Sequence, residues 1–579
     1  STDSLINIGT TGDDGRRGDL VLGSGVKSIA GMTFFLDPVW HEGDKVTDGS
    51  RLVYEATDID GKIVVGENSY AVLGGSAESA TEFVNFFNNG ALSWGKGQNA
   101  VLAAVYVDKP IKIDATTGGL NVDGALSEYK GVNAGSVVFA ENSALVANVS
   151  NLKAGEALIT VENGQTITVD EKSKAVLVGD IQSGAAYKLT SDTEANKKWA
   201  DNLYAGNSMW KLQMEDDGTI VADLQDAAQV YGKAMQGSAL ANAGMGSDDV
   251  AIKSYVNALL TDTSGIISAL PSVAARFDAA MNTAGAVATF TTAMDRASEL
   301  RDAVRTEVVE GEGKGLWVEV TGGQTKLKGI STGGQSLHTK TDAYGLVIGG
   351  EGQAGALKFG AAFAAGTGDT KNNSVAAKDD FEYYGFSVYG KYDAGLVDIL
   401  ADASATWLKS DLTVGNGAAI DTDTTTAVYS IGAQVRKTFD LDVVDVTPFI
   451  GADLYHVRGD GYSAGHGIQV HDSDATAVEF PIGAEIAKSF ETASGMKVAP
   501  KFMFAVVPTV GDKDIDSKVT FANATSTYNF TFADDVKLRG RLGVSAQKDN
   551  FNFGLQAGYE WGNEERSSYD IQARLKVLF

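Results

Sequence analysis

The last eleven residues, Tyr569 to Phe579, constrain the fold of this chain more than any other stretch. The run YDIQARLKVLF puts apolar side chains at Tyr569, Ile571, Ala573, Leu575, Val577 and Phe579. Polar ones stand at Asp570, Gln572, Arg574 and Lys576, and only Leu578 breaks the alternation. Period two is the pattern of a strand with one apolar face. The length matches the roughly 9–11 residues of a tilted strand that crosses a bilayer, whereas soluble strands run to about 5–6. The stretch predicts a transmembrane β-strand.

A strand in lipid must pair on both edges, so one such strand demands a closed barrel. From Gly315 onward the same period recurs about twelve times, beginning near 315–322 and including 382–393, 475–489 and 534–547. Twelve is even, as single-chain bacterial barrels require. Tyr384, Phe386, Val388 and Tyr392 share one side of the fourth segment. Val478, Phe480, Ile482, Ala484 and Ile486 share one side of the eighth. The opposite sides carry Glu319, Glu479, Glu485, Lys537, Arg539, Arg541, Glu560 and Arg574, which predicts a wet or filled interior. Links alternate in length: 351–354, 394–395, 440–442, 489–494 and 548–549 are short, while 410–423, 458–474 and 509–533 are long and polar, and the short link 562–567 is the one exception. Short periplasmic turns and long outer loops alternate in this way, so both ends of the barrel lie in the periplasm.

Upstream the character differs. To about Leu224 the chain is a series of short β-type runs, such as Ala144–Val149 and Lys174–Val178, separated by Gly, Asn and Asp. This predicts a short, irregular β-solenoid without a clean repeat. Residues 81–94 are aromatic-rich and read as a decoration or small helix. From 225 to 309 alanine dominates and spacings of three and four appear. Helices are expected at 251–260, at 266–281 with an interruption near Pro271, and at Ala284–Arg305. The last carries Thr291, Asp295, Arg296, Glu299, Arg301, Asp302 and Arg305. The pairs Arg296–Glu299 and Asp302–Arg305 have i,i+3 spacing.

Composition bounds the function. Net charge is −28, which argues against nucleic acid. There is no cysteine, so disulfides, thiol chemistry and cysteine-ligated zinc are excluded. No run of about 18 apolar residues exists, so no transmembrane helix is expected. Neither a zinc-protease HExxH nor a phosphate-binding Walker loop occurs, and His41 is the only histidine of the first half. Gly461–Gly465 matches GxSxG and His466 follows it, but no helical pattern follows to expose the serine. Asp512, Asp514 and Asp516, and His456, His466 and His471 with Asp472 and Asp474, lack the spacing of a metal site. Arg-Gly-Asp occurs twice, at Arg17, Gly18, Asp19 and at Arg458, Gly459, Asp460. These are candidate receptor-binding tripeptides, with ordinary Gly-Asp turn chemistry as the plainer origin.

SELRDAVR, a short acidic-Gly hinge, GLWVEVTGG, alternating strands and a terminal Phe579 together resemble the translocator of a classical autotransporter, the type V secretion family. The resemblance covers roughly Met281 to Phe579. It implies a mainly β chain: an N-terminal β-solenoid-like passenger (1–224), a helical linker and pore helix (225–309), and a twelve-stranded outer-membrane barrel (310–579) with the helix in its pore. It further implies a removed signal peptide, contact with outer-membrane lipid, periplasmic chaperones, and assembly machinery that reads the terminal strand through Tyr569, Val577 and Phe579. The pore helix, from Ala284 to Arg305, is expected to meet Glu319, Arg539, Arg541 and Glu560. Neither lipase nor subtilisin boxes occur, and only Asn282 stands where self-cleaving relatives carry an Asn pair. The expectation is a non-enzymatic passenger without a cofactor, an adhesin or surface coat that contacts a host-cell receptor or its own copies. The alternatives are an exported polysaccharide-acting enzyme and a porin-like channel with an N-terminal domain.

Overall fold

The computed structural model describes residues 4–9, 18–36, 50–79, 83, 93–94, 100–126, 128–161, 166–261, 270–310, 313–332, 335–415 and 420–579. His41, Arg17 and nearly all of 81–94 lie outside them. The chain forms two compact units. One comprises Ser1–Val230 with Leu260–Val273, the other Tyr231–Leu259 with Ala274–Phe579. The helical linker expected at 225–309 is therefore not a unit of its own, because its parts pack into different cores.

The first unit is built from three sheets of short parallel strands visited in rotation. Val137–Phe139, Ser143–Asn148 and Ala157–Val161 each enter a different sheet. Ile167–Val169, Lys174–Val178 and Ala186–Thr190 then pair beside them in the same order. In these coils stacked residues lie 30 or 31 apart in sequence, as in Ser143 and Ser173 and Ser150 and Asp180, whereas paired residues elsewhere in the unit lie from 17 to 57 apart. Inward Val, Leu and Ile fill the axis, and Ser143 and Ser173 hydroxyls meet at 3.0 Å under the Trp199 indole. The unit is solenoid-like, as expected. Residues 74–102 and 123–136 interrupt the rotation between paired strands, which is why no repeat is visible in the sequence. An antiparallel pair, Trp210–Met214 with Ile220–Leu224, closes one end. It turns an exposed parallel edge away from further pairing.

The second unit is a closed antiparallel barrel of twelve strands. The first, Gly315–Thr332, pairs with the second, Gln335–Ala354, and also with the last, Arg566–Leu578. The eighth is broken at Phe480-Pro481 into Ser473–Glu479 and Ile482–Ala487, since proline cannot donate to the ladder. In the fourth strand, Ala377–Asp393, the outward Tyr384, Phe386, Val388 and Tyr392 are 37–51 % exposed while inward Phe381, Tyr383, Ser387 and Tyr389 are buried. Apolar side chains outside and polar ones inside are the burial order of a barrel in lipid. Close strand approach at Gly349 lets the inward Trp317 ring lie over it and donate to Tyr389 Oη at 2.8 Å.

The strands run farther than their apolar faces indicate. The first extends to Thr332 rather than 322, and the links 410–423, 458–474 and 509–533 are largely folded. Tyr462–Ser463, Gln469–Val470, Asp514–Phe521 and Ala524–Thr531 form a four-stranded sheet at the loop end. Beyond the bilayer the ladder continues in water with polar residues on both faces, and no hydrophobic alternation betrays it. Pro271 is the second residue of the helix Leu270–Met281, and residues 266–269 of the expected helix lie outside the described residues.

Candidate functional site in the plugged barrel

The lumen holds one long helix, Thr289–Glu310. Sequence spacing places it at Ala284–Arg305; the structure shifts it toward the C-terminus. Ala284 belongs to a separate turn, Thr283–Ala286, capped by Asn282. Ala288 then adopts φ +55°, which ends that turn. Tertiary contacts fix the break: Ala284 N donates to Tyr462 Oη at 3.1 Å and Asn372 Nδ2 to Ala286 O at 2.8 Å. At the other end Glu307 and Glu310 stay helical because wall cations hold them.

Along this helix each charge has a partner. Asp295 meets Arg566 at 2.6 Å. Arg296 pairs with Glu299 one turn on, as the spacing predicts. Arg301 Nε donates to Asp402 Oδ1 at 2.7 Å, and Arg305 Nε to Asp402 Oδ2 at 2.7 Å. Arg305 Nη2 donates to Asp453 Oδ1 at 2.6 Å. Arg301 also lies over the Tyr455 ring, 4.5 Å from its centroid. Asp302 does not pair with Arg305 as expected but takes Arg541 at 2.6 Å and Arg539 at 3.4 Å. Glu307 meets Arg574 at 3.1 Å and Lys576 at 3.0 Å, and Glu310 pairs with Arg574 and Lys501. Cations at the last turn also complement the helix dipole, and Lys358 Nζ reaches Val308 O at 3.4 Å.

Of the wall residues singled out from sequence, Arg539, Arg541 and Arg574 touch the helix. Glu319 and Glu560 do not meet helix charges. Glu560 pairs with Arg539 and Arg566, and Glu319 lies 4.0 Å from Arg574, so both tie strand to strand. Glu479 holds Lys537 at 2.6 Å and Glu485 holds Arg436 at 3.2 Å, again along the wall. Asp402 and Asp453 were missed, although the alternation of Leu400, Asp402, Ser404 and of Gly451, Asp453, Tyr455 marks both as inward. Gly432 opposite them leaves room for the arginines: a Cβ there would lie 2.3 Å from Arg305 Nη2 and 2.4 Å from Asp453 Oδ1.

A second cluster sits at the loop end. Asp278, fully buried, accepts hydrogen bonds from Gln236 N, Gly237 N and Tyr528 Oη at 2.9–3.0 Å. Burial pushes its carboxyl up to about 7. An Asp among the alanines of AARFDAAM was the available signal. The three histidines do not converge. His456 bonds Thr476, His471 bonds Thr520, and His466 stacks on Tyr255 at 4.1 Å. Ser463 lies on a strand and accepts from Gln469, away from any histidine partner among the described residues. Asp512, Asp514 and Asp516 accept from Thr476, Thr531 and Asn529 respectively. Asp19 is paired with Arg51; Arg458 lies 3.4 Å from Asp472, and Gly459 ends a barrel strand against the Phe290 ring. Tyr569 and Val577 point outward on the closing strand, and Phe579, which follows it, is the most exposed of the three.

The family model described as Autotransporter beta-domain matches residues 316–560. The C-terminal part of this chain is an autotransporter beta-domain. Its translocator barrel belongs to the outer membrane, where its apolar belt contacts lipid, and its presence implies secretion of a passenger. The beta-domain also resembles solved translocators at low identity. The autotransporter NalP translocator from Neisseria meningitidis is 14 % identical, covers 51 % of this chain and 100 % of its own, with TM-score 0.41. The transport unit of AIDA-I from Escherichia coli is 14 % identical over 48 % of this chain and 97 % of its own, TM-score 0.36. The beta domain of Bordetella BrkA is 13 % identical over 46 % and 100 %, TM-score 0.35. No curated protein sequence matches the chain.

Proposed function

We propose that the beta-domain carries residues 1–224 to the cell surface and keeps them there, where they act as a non-enzymatic adhesin or surface coat. The supporting observation is the pore helix. It enters from the loop end, fills the lumen and joins the first barrel strand at Gly315, so the chain upstream of it emerges on the outside. Assembly would rely on periplasmic chaperones and on barrel-insertion machinery reading the outward aromatic end of the last strand. The passenger's buried polar groups stitch coil to coil, as in the Ser143, Ser173 and Trp199 chain, which is structural chemistry. Self-association or a host receptor would then use its outer faces. Protease shaving of intact cells tests display. Loss of the N-terminal part with survival of a fragment beginning in 283–315 supports it, and resistance until the outer membrane is opened refutes it.

A second reading is an exported enzyme acting on polysaccharide. It is favoured by one feature, the exposed row of Glu141–Lys172 and Glu171–Lys198 pairs on successive coils. Glycan cleavage by the full-length protein that disappears in Lys172→Ala would establish it.

A further inference from the structure

The wall's ion pairs with the pore helix are sorted by side of the lumen. Six cations meet helix carboxylates: Lys501 on the ninth strand, Arg539 and Arg541 on the tenth, and Arg566, Arg574 and Lys576 on the twelfth. The two acids that hold helix arginines, Asp402 and Asp453, stand on the fifth and seventh strands across the lumen. The cationic strip spans the length of the helix, from Arg566 beside Asp295 to Lys501 beside Glu310.

For part of this strip the ion-pair partner stands on the helix, with Asp570 of the wall acting beside Asp302 on Arg541. Arg541 has Asp302 as its salt-bridge partner, and Lys501 has Glu310; neither has an acidic wall partner within ion-pair distance among the described residues. Arg541 Nε is buried without a hydrogen-bond partner even with the helix in place. Two small spaces of about 70 and 90 Å³ flank the helix, and Arg539 and Arg541 line both. A guanidinium stripped of its anion inside a narrow lumen is costly, so another carboxylate is drawn to it. Before the helix arrives, the polypeptide passing through is that carboxylate source. Residues 1–224 carry 31 Asp and Glu against 17 Lys and Arg.

We propose that the strip formed by strands nine, ten and twelve is a transit site for acidic polypeptide. It binds carboxylates of the passenger in turn during export, and Asp295, Asp302, Glu307 and Glu310 of the pore helix are the last to occupy it. The inference rests on the translocator reading and adds a ligand class to it. Each passing carboxylate exchanges one ion pair for the next, which favours occupancy of the lumen without trapping, provided the single contacts stay weak and numerous. Docking of the helix ends the exchange because its four carboxylates are preorganised on one rigid element.

The test is a double-mutant cycle in cells on the full chain, reading the half-time for pulse-labelled passenger to become protease-accessible. One arm is Arg541→Gln with Lys501→Gln. The other is Glu128→Gln, Asp201→Asn, Asp216→Asn and Asp223→Asn, exposed passenger positions. Each arm is expected to slow appearance about threefold or more, and the combination to be no slower than either alone. Wild-type rates for the neutralised passenger in the unaltered barrel would overturn the proposal, whatever the wall variant does to folding. So would delays that multiply. Failure of the unaltered passenger to reach the surface at all would instead overturn the translocator reading.

Discussion

Asp402→Ala removes the acceptor shared by both inward-facing arginines of the pore helix. Arg301 Nε and Arg305 Nε each lose a bond of 2.7 Å, and Asp453 is left to serve both from 2.6 Å and 3.9 Å. All four residues are at least nine-tenths buried. Breaking a buried pair from one side costs roughly 3–5 kcal/mol because the surviving charge stays unpaired. The polar spaces beside the helix admit water, so about 3 kcal/mol is expected, near the lower bound. In a domain of this size each kcal/mol moves the midpoint about 2–4 °C, which gives a fall of roughly 6–12 °C. Thermal unfolding of the detergent-solubilised protein measures it. Lys340→Ala, at the exposed Lys340–Asp342 pair, is the control and should cost about 0–1 kcal/mol. Replacing all four members of the cluster by apolar residues of similar size should restore much of the loss, since no orphan charge remains. A shift for Asp402→Ala no larger than the control would refute the reasoning, because it would mean that water solvates these arginines as well as aspartate does.

Other expectations follow from single contacts. Gly432→Ala should displace the Arg305 side chain and lower the midpoint by an amount similar to Asp402→Ala, with the two effects clearly non-additive. Asp278 is protonated more readily folded, at about 7, than unfolded, near 3.9, so the folded state binds the extra proton between those values. Stability of the Asp278 cluster is therefore highest below about pH 4 and falls by about 1.4 kcal/mol per pH unit up to about 7, then levels off. Hydrogen exchange of the Gln236 and Gly237 amides over pH 5–8, corrected for intrinsic rates, reads this, and protection that rises with pH would contradict it. Trp199→Ala should cost roughly 3–5 kcal/mol in the passenger, measured by its own unfolding transition, since the ring is fully buried against Phe139 and bonded to Ser173. Phe579→Ser should lower the amount of barrel in the outer membrane without changing the midpoint of what is assembled. The side chain is 77 % exposed and supports no core, so an equal fall in stability would refute an assembly role.

The sequence by itself determined what repeats along a single strand. Twelve alternating segments, the sidedness of Arg539, Arg541, Glu479 and Arg574, and the parity of the links follow from period two, because lipid accepts only one kind of face. The change of character near Leu224 was equally legible, since the last β-strand of the first unit ends there. What the sequence could not carry is pairing between residues far apart in the chain. Arg301 and Asp402 are 101 positions apart, and local spacing instead joined Asp302 to Arg305. An i,i+3 rule describes a helix in water. Inside the lumen the wall offers most helix charges a buried partner, Arg296 and Glu299 keeping their i,i+3 pair, and desolvation makes the wall partners decisive. The same holds for the loop-end sheet and for the limits of the pore helix. Their residues lack a hydrophobic period, and they are ordered only by bonds such as Asn372 to Ala286 that closure of the barrel brings within reach.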